Sequence, residues 1–272
     1  MLGLRAATVA VGAPLMLGAL YLGGLPWGLA LTALTVWGAL ELGDLFVAKG
    51  MGHPQRDVLA VAGVAGLWLA PAVQVVEGSR WQGVVALMVP AVAFSYAALR
   101  AWGRGASVLQ EASAASFAFF YVGVFGGFWW LLRQSHPLGW PYGLMALVGT
   151  WATDMGAYLV GRALGRRRLV PRISPSKTVE GAVGGLFCGV GSVVLLGRVG
   201  FGMSWWVLAA LGLVTAVAAQ LGDLAESALK RDANVKDSGW LLPGHGGILD
   251  RMDSVLVAGP AAYLFLACVA GF

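Results

Sequence analysis

"MSWWVLAALGLVTAVAAQLGDLAESALKRDANVKDSGWLLPGHGGILDRMD", residues 203–253, changes character in its middle. Residues 203–222 carry no charge and have the length a helix needs to cross hydrocarbon. The following span, 223–253, holds ten of the chain's thirty-one Asp, Glu, Lys and Arg side chains, six carboxylates and four cations. An apolar helix that runs into a dense polar segment fixes both the fold class and the place of the chemistry.

The rest of the chain supports that reading. Of its 272 residues 58% are hydrophobic and 11% charged, against about 25% charged in soluble domains; mean hydropathy is +0.77. Apolar runs fall near 6–22, 27–46, 57–76, 81–99, 114–133, 140–161, 178–197, 203–222 and 254–271. The expected fold is therefore all-α, a polytopic integral membrane protein with about nine transmembrane helices. Residues 1–150 form the N-terminal transmembrane helices, and 151–272 a C-terminal catalytic region. The first run reads as a retained helix rather than a signal peptide.

Charge sets the expected orientation. Counting alternate loops, one side receives Arg5, Lys49, Arg56, Arg100, Arg104, the six cations from Arg162 to Lys177, and Lys230, Arg231, Lys236 and Arg251. That is fifteen of eighteen, leaving Arg80, Arg133 and Arg198 on the other side. The N-terminus and the polar stretch then face the cytoplasm, in a multi-pass protein of the cell (inner) membrane. The pI near 9.5 reflects this topology and attraction to anionic lipid rather than a nucleic-acid partner. Cys188 and Cys268 lie in apolar runs and indicate neither a disulfide framework nor a metal site.

Several polar groups stand out from this background. Glu41 and Asp44 share a helix face near a cytoplasmic end and read as a solvated rim, with entry of one into the active cavity as the alternative. Asp154 lies inside a run, about two turns before its exit, where an ionisable group is expensive and points to function. Gly181, Gly185 and Gly189 form a close-packing stripe, within or between chains, so a homodimer is among the expected partners.

"RISPSKTVEG", 172–181, resembles a phosphate site. Ser174 and Pro175 suit an N-cap and first helical position, and a helix start favours an anion. Arg172, Ser176, Lys177 and Thr178 add cations and hydroxyls there, whereas Arg166 to Arg168 read as a positive-inside anchor.

In the opening stretch Asp223, Glu226, Ser227 and Lys230 share one helix face. Asp250, Asp253 and Ser254 repeat the spacing at the start of the last helix. The Gly246–Gly247 turn between them lets backbone approach a ligand closely. Two carboxylate-bearing helix ends would make a hard-oxygen site suited to Mg²⁺. The expected ligands are Asp223, Asp250, Asp253 and Asp154. Lys230, Arg231, Lys236 and Arg251 imply a substrate with several negative charges. Together these features read as phosphoryl or nucleotidyl transfer. An attacking phosphate is already anionic, so no dedicated base is required. His245 reads as a donor to phosphate or an organiser of the turn. There is no P-loop, no strand-preceded G-x-G-x-x-G, and no Asp-Gly-x-x-Ala-Arg pattern of the CDP-alcohol phosphotransferases.

"SALKRDANVKDSGWLLPGHGGILDRMD", 227–253, resembles the signature of phosphatidate cytidylyltransferases, also called CDP-diacylglycerol synthases. Its Ser-x-apolar-Lys-Arg, Lys-Asp, Pro-x-His-Gly-Gly and Asp-Arg-x-Asp elements stand in the same order and spacing. The upstream "GD", "ES" and "SPSKTVEG" are similar too, so the likeness covers roughly 154–254. The resemblance implies that CTP and phosphatidate give CDP-diacylglycerol and pyrophosphate, with Mg²⁺ required and any second cation unidentified. Asp237 enters the expected catalytic set through the Lys-Asp element. Alternatives are a CTP-dependent kinase or cytidylyltransferase acting on another membrane lipid, and a cation-coupled transporter. Transporters place their sites near mid-membrane in repeated halves, and neither feature is found here.

Overall fold

A computed structural model of the protein describes residues 2–76, 82–104, 106–134, 136–239 and 246–269. The described part of each apolar run falls almost wholly on a helix: α1 (Leu2–Leu22), α2 (Gly24–Ala48), α3 (Arg56–Val75), α4 (Gln82–Gly103), α5 (Val108–Phe117) continued through a π-helical turn (Ala118–Val124) into α6 (Phe125–Gln134), α7 (Gly139–Leu164), α8 (Val179–Phe201), α9 (Trp205–Asp232) and α10 (Leu249–Val269). Among the described residues seven helical stretches are long and apolar enough to cross a membrane. The other two are α1, whose described apolar part is the shorter Ala10–Leu22, and α7, which carries Thr150, Thr153, Asp154 and Arg162 along its length. The chain is all-α and reads as a multi-pass membrane protein. The outer face of α8 agrees, since Phe187 and Val199 are 74% and 80% exposed, a surface suited to lipid rather than water.

Two units make up the chain. The first takes Met1–Leu131 and, from the signature, Asp232–Asp250. Here α3 meets the π-helical turn almost backbone to backbone. A Cβ on Gly123 would lie 2.9 Å from the Gly66 Cα, so only glycines allow the approach. Trp27 and Trp129 are buried in the same unit, with the Trp27 indole N–H donating to the Trp129 carbonyl at 3.1 Å.

The second unit takes Leu132–Arg231 and Arg251–Phe272. Its frame is α8 against α7, and the glycine stripe makes it. A Cβ on Gly181 would come within 2.7 Å of the Ala157 carbonyl, and one on Gly185 within 2.8 Å of the Thr153 carbonyl. The stripe thus serves packing inside the chain.

One expectation is corrected here. Ser174 and Pro175 do not open a helix. Ser174–Thr178 is a strand, β2, paired antiparallel with β1 (Arg168–Val170). Helix α8 begins four residues later, at Val179, with Thr178 as its N-cap: the Thr178 hydroxyl accepts from Gly181 N at 3.1 Å. Thr178 at ψ 155° is extended, as an N-cap requires. The fixed φ of Pro175 suits an edge strand as well as a first helical turn, and hairpin pairing decides between them.

Candidate active site

The second unit gathers most of the polar residues singled out in the sequence. Helix α9 supplies a face in which each residue pairs with one a turn away: the Ser227 hydroxyl lies 3.4 Å from Asp223 Oδ1, and Lys230 Nζ makes an ion pair with Glu226 Oε2. Glu226 has no exposed surface and the Lys230 side chain is 14% exposed. A buried carboxylate persists when a cation compensates it.

Three further elements converge on this face. From β2, Lys177 Nζ reaches Asp223 Oδ2 at 2.7 Å. From α7, Asp154 Oδ1 accepts a hydrogen bond from the Ser254 hydroxyl at 3.2 Å. On α10, Asp253 Oδ1 accepts from the Ser254 backbone N–H at 2.7 Å. The sequence explains why α9 can come so near: a Cβ on Gly222 would collide with the Asp253 carbonyl, so the glycine before Asp223 admits α10.

A cavity of about 580 Å³ opens beside this cluster. Asp154, Asp223, Ser176, Lys177 and Thr178 line it, together with Tyr158, Arg162, Arg168 and Gln220. The last four were missed in the sequence. Arg168 was assigned to the basic anchor, but pairing of β1 with β2 brings it to the cavity. Arg162 and Tyr158 stand one turn apart on α7, the guanidinium donating to the phenol oxygen at 3.1 Å. Their i, i+4 spacing below Asp154 was the available signal. Arg231 donates from Nε to the Ile173 carbonyl at 3.2 Å, tying α9 to the hairpin turn. Ser174 is half-buried and Arg172 exposed, and neither lines the cavity.

The first unit holds Lys236, Asp237, Gly246, Gly247 and Asp250. Asp250 Oδ2 accepts from Ser238 N at 2.9 Å and Gly247 N at 2.8 Å, the reach-back pattern of a helix N-terminus. Gly246 has φ 79°, a conformation that favours glycine. Its Cβ would lie 2.7 Å from Asp250 Oδ2. Gly246 and Gly247 therefore approach carboxylates of the protein itself. Lys236 and Asp237 are exposed, as is Arg251 in the second unit. His245 lies outside the described residues.

A correction concerns Glu41. It is not a solvated rim: it is 3% exposed. It accepts hydrogen bonds from the Ser238 hydroxyl at 3.2 Å, Ile248 N at 2.9 Å and Leu249 N at 2.8 Å. Asp44 is on the rim, half exposed and 3.5 Å from Arg56. The physical reason is the N–H groups at the start of α10, which take up one carboxylate and leave the other to solvent.

For a metal, the donor set is the relevant test. Among the described residues no three His, Cys, Asp or Glu side chains are grouped as a ready-made site. The second unit carries Asp154, Asp223, Glu226 and Asp253 together with Lys177 and Lys230, and Arg162 and Arg168 line the same cavity as Asp154 and Asp223. Carboxylate oxygens are the hard donors that a divalent cation such as Mg²⁺ takes.

Comparison with known proteins agrees with this chemistry. The chain matches the cytidylyltransferase family over residues 3–269. A phosphatidate cytidylyltransferase of Staphylococcus aureus (strain COL) is 46% identical over 147 residues, 54% of this chain and 55% of the relative. One from Staphylococcus haemolyticus (strain JCSC1435) is 44% identical over the same length. One from Brucella suis biovar 1 (strain 1330) is 44% identical over 140 residues, 52% of each chain. The chain thus spans about half the length of the curated relatives it matches. With the family match running through almost all of its helices, the chain belongs to the cytidylyltransferase family.

Proposed function

We propose that the protein transfers the cytidylyl group of CTP to phosphatidate, giving CDP-diacylglycerol and pyrophosphate. The observation that carries this reading is the second unit's cavity, where three cations, Arg162, Arg168 and Lys177, line one space with Asp154 and Asp223. Family membership and the names of the relatives support the choice of substrates.

In this reading the hairpin cations hold the lipid phosphate while its acyl chains stay in the bilayer. Ser176 and Lys177 on β2, with Arg168 on β1, orient it. Lys230 and Arg231 on α9, with Arg251 on α10, neutralise the triphosphate. An oxygen of the lipid phosphate attacks the α-phosphorus of CTP. The bond from the α-phosphorus to the bridging oxygen breaks, and pyrophosphate leaves with the bond's electrons. The nucleophile is anionic at neutral pH, so positioning and charge compensation carry the step. Asp154, Asp223 and Asp253 would hold Mg²⁺. When bound, the ion supplies neutralisation of phosphate charge. The same reading keeps nine membrane crossings, a cytoplasmic N-terminus and a cytoplasm-facing site, supported by the distribution of fifteen of eighteen cations.

The test uses purified full-length protein with labelled CTP, phosphatidate and Mg²⁺. Formation of CDP-diacylglycerol with an equal amount of pyrophosphate is expected. Release of CDP and a phosphorylated lipid would replace the reading with a kinase, and solute flux in vesicles without CTP turnover would replace it with a transporter.

A further inference from the structure

The carboxylate of Glu41 stands on α2, nearly two hundred residues before the signature, yet it is where the two ends of one signature segment meet. Ser238 donates to it from one end, at 3.2 Å, and Ile248 N and Leu249 N from the other, at 2.9 and 2.8 Å. The glycines on either side are shaped to it. A Cβ on Gly239 would lie 2.7 Å from Glu41 Oε1, and one on Gly247 would collide with Oε2. On α2 one turn earlier, Gly38 lies against Leu249, its Cβ position 3.8 Å from a Leu249 methyl. A buried carboxylate with three donors, placed where a helix begins, receives charge-assisted hydrogen bonds and the favourable end of the helix dipole.

We infer that Glu41 is a positioning residue for nucleotide binding: by holding Ser238, Ile248 and Leu249 together it fixes the start of α10, and with it Asp250, for CTP. The inference rests on the proposed function and extends it to a residue outside the signature. Its chemistry requires the carboxylate. An amide at this position would turn an N–H₂ group toward N–H donors, and an aspartate would draw the oxygens back by one methylene, about 1.5 Å.

The experiment compares the full-length wild type with Glu41→Gln. The KM for CTP is expected to rise about tenfold or more, with the KM for phosphatidate changed less than about threefold. Simple loss of folded enzyme would lower apparent kcat and move neither KM. Backbone amide exchange at Ile248 and Leu249 is expected to quicken about tenfold, while amides of α7 and α8 hold their rates. Unchanged KM for CTP, or unchanged exchange at those amides, overturns the inference. If Glu41→Gln does not fold, Ser238→Ala decides. It removes one of the three hydrogen bonds, and a KM for CTP within about 1.5-fold of wild type counts against the clamp. The exchange measurement needs no substrate, so an enzyme that uses some other nucleotide would fail the functional reading and leave the clamp standing.

Discussion

Lys177 Nζ lies 2.7 Å from Asp223 Oδ2, and this ion pair joins the hairpin to the α9 carboxylate face. Both side chains are about one-quarter to one-third exposed, at the cavity wall. The cation proposed to meet the lipid phosphate is therefore held by a carboxylate proposed to meet Mg²⁺. Binding an anion to one and a cation to the other would exchange one pair for two. Lys177→Ala should lower kcat/KM by about a hundredfold or more while the protein still folds. Lys177→Arg, which keeps the charge but not the compact ammonium, should recover only part of that. Steady-state kinetics with phosphatidate in mixed micelles checks both.

Glu226 and Lys230 separate stability from chemistry. Because Glu226 has no exposed surface, Lys230→Met strands its charge and should cost about 3–5 kcal/mol. The double variant Glu226→Gln with Lys230→Met should regain most of the unfolding temperature but not the turnover, since Lys230 is also assigned to the triphosphate. Thermal unfolding in detergent, beside the activity assay, distinguishes the two losses.

The glycine stripe predicts a sharp contrast along α8. Gly189→Val drives a side chain into Thr153 and Ala216, whereas a Cβ on Gly191 meets nothing within 4 Å. Gly189→Val should abolish the folded, monodisperse protein. Gly191→Ala should leave it unchanged or gain up to about 1 kcal/mol from helix propensity. Size-exclusion profiles of the two variants test this.

Arg162 and Arg168 should each contribute to lipid binding. Replacing either with Ala should raise the KM for phosphatidate about tenfold, the worth of one charge-assisted hydrogen bond, and leave the KM for CTP nearly unaltered. A change in the KM for CTP alone would move these arginines to the nucleotide.

Divalent-ion dependence gives the last prediction. Chelation should stop pyrophosphate release, and added Mg²⁺ should restore it. Calorimetric Mg²⁺ binding should vanish in Asp223→Asn and in Asp253→Asn, while both proteins keep the wild-type helical content. Retained binding in both would remove the carboxylate cluster from the metal proposal.

Much of this molecule is legible in one dimension. The apolar runs specify helices because backbone groups in hydrocarbon must satisfy one another within the segment. The i, i+3, i+4, i+7 spacing of Asp223, Glu226, Ser227 and Lys230 places them on one face for the same local reason. What local spacing could not supply were contacts between distant segments. The start of α8 moved to Val179 because Ser174–Thr178 found a strand partner in Arg168–Val170, which also brought Arg168 to the cavity. Glu41 looked like a surface carboxylate until the N–H groups opening α10, two hundred residues away, gave it a buried partner set. Sequence alone determined the apolar helices and the polar faces, since each follows from neighbours within a few turns. Only the tertiary structure decided which carboxylate each cation or N–H group meets, since burial makes that choice and depends on segments far apart in the chain.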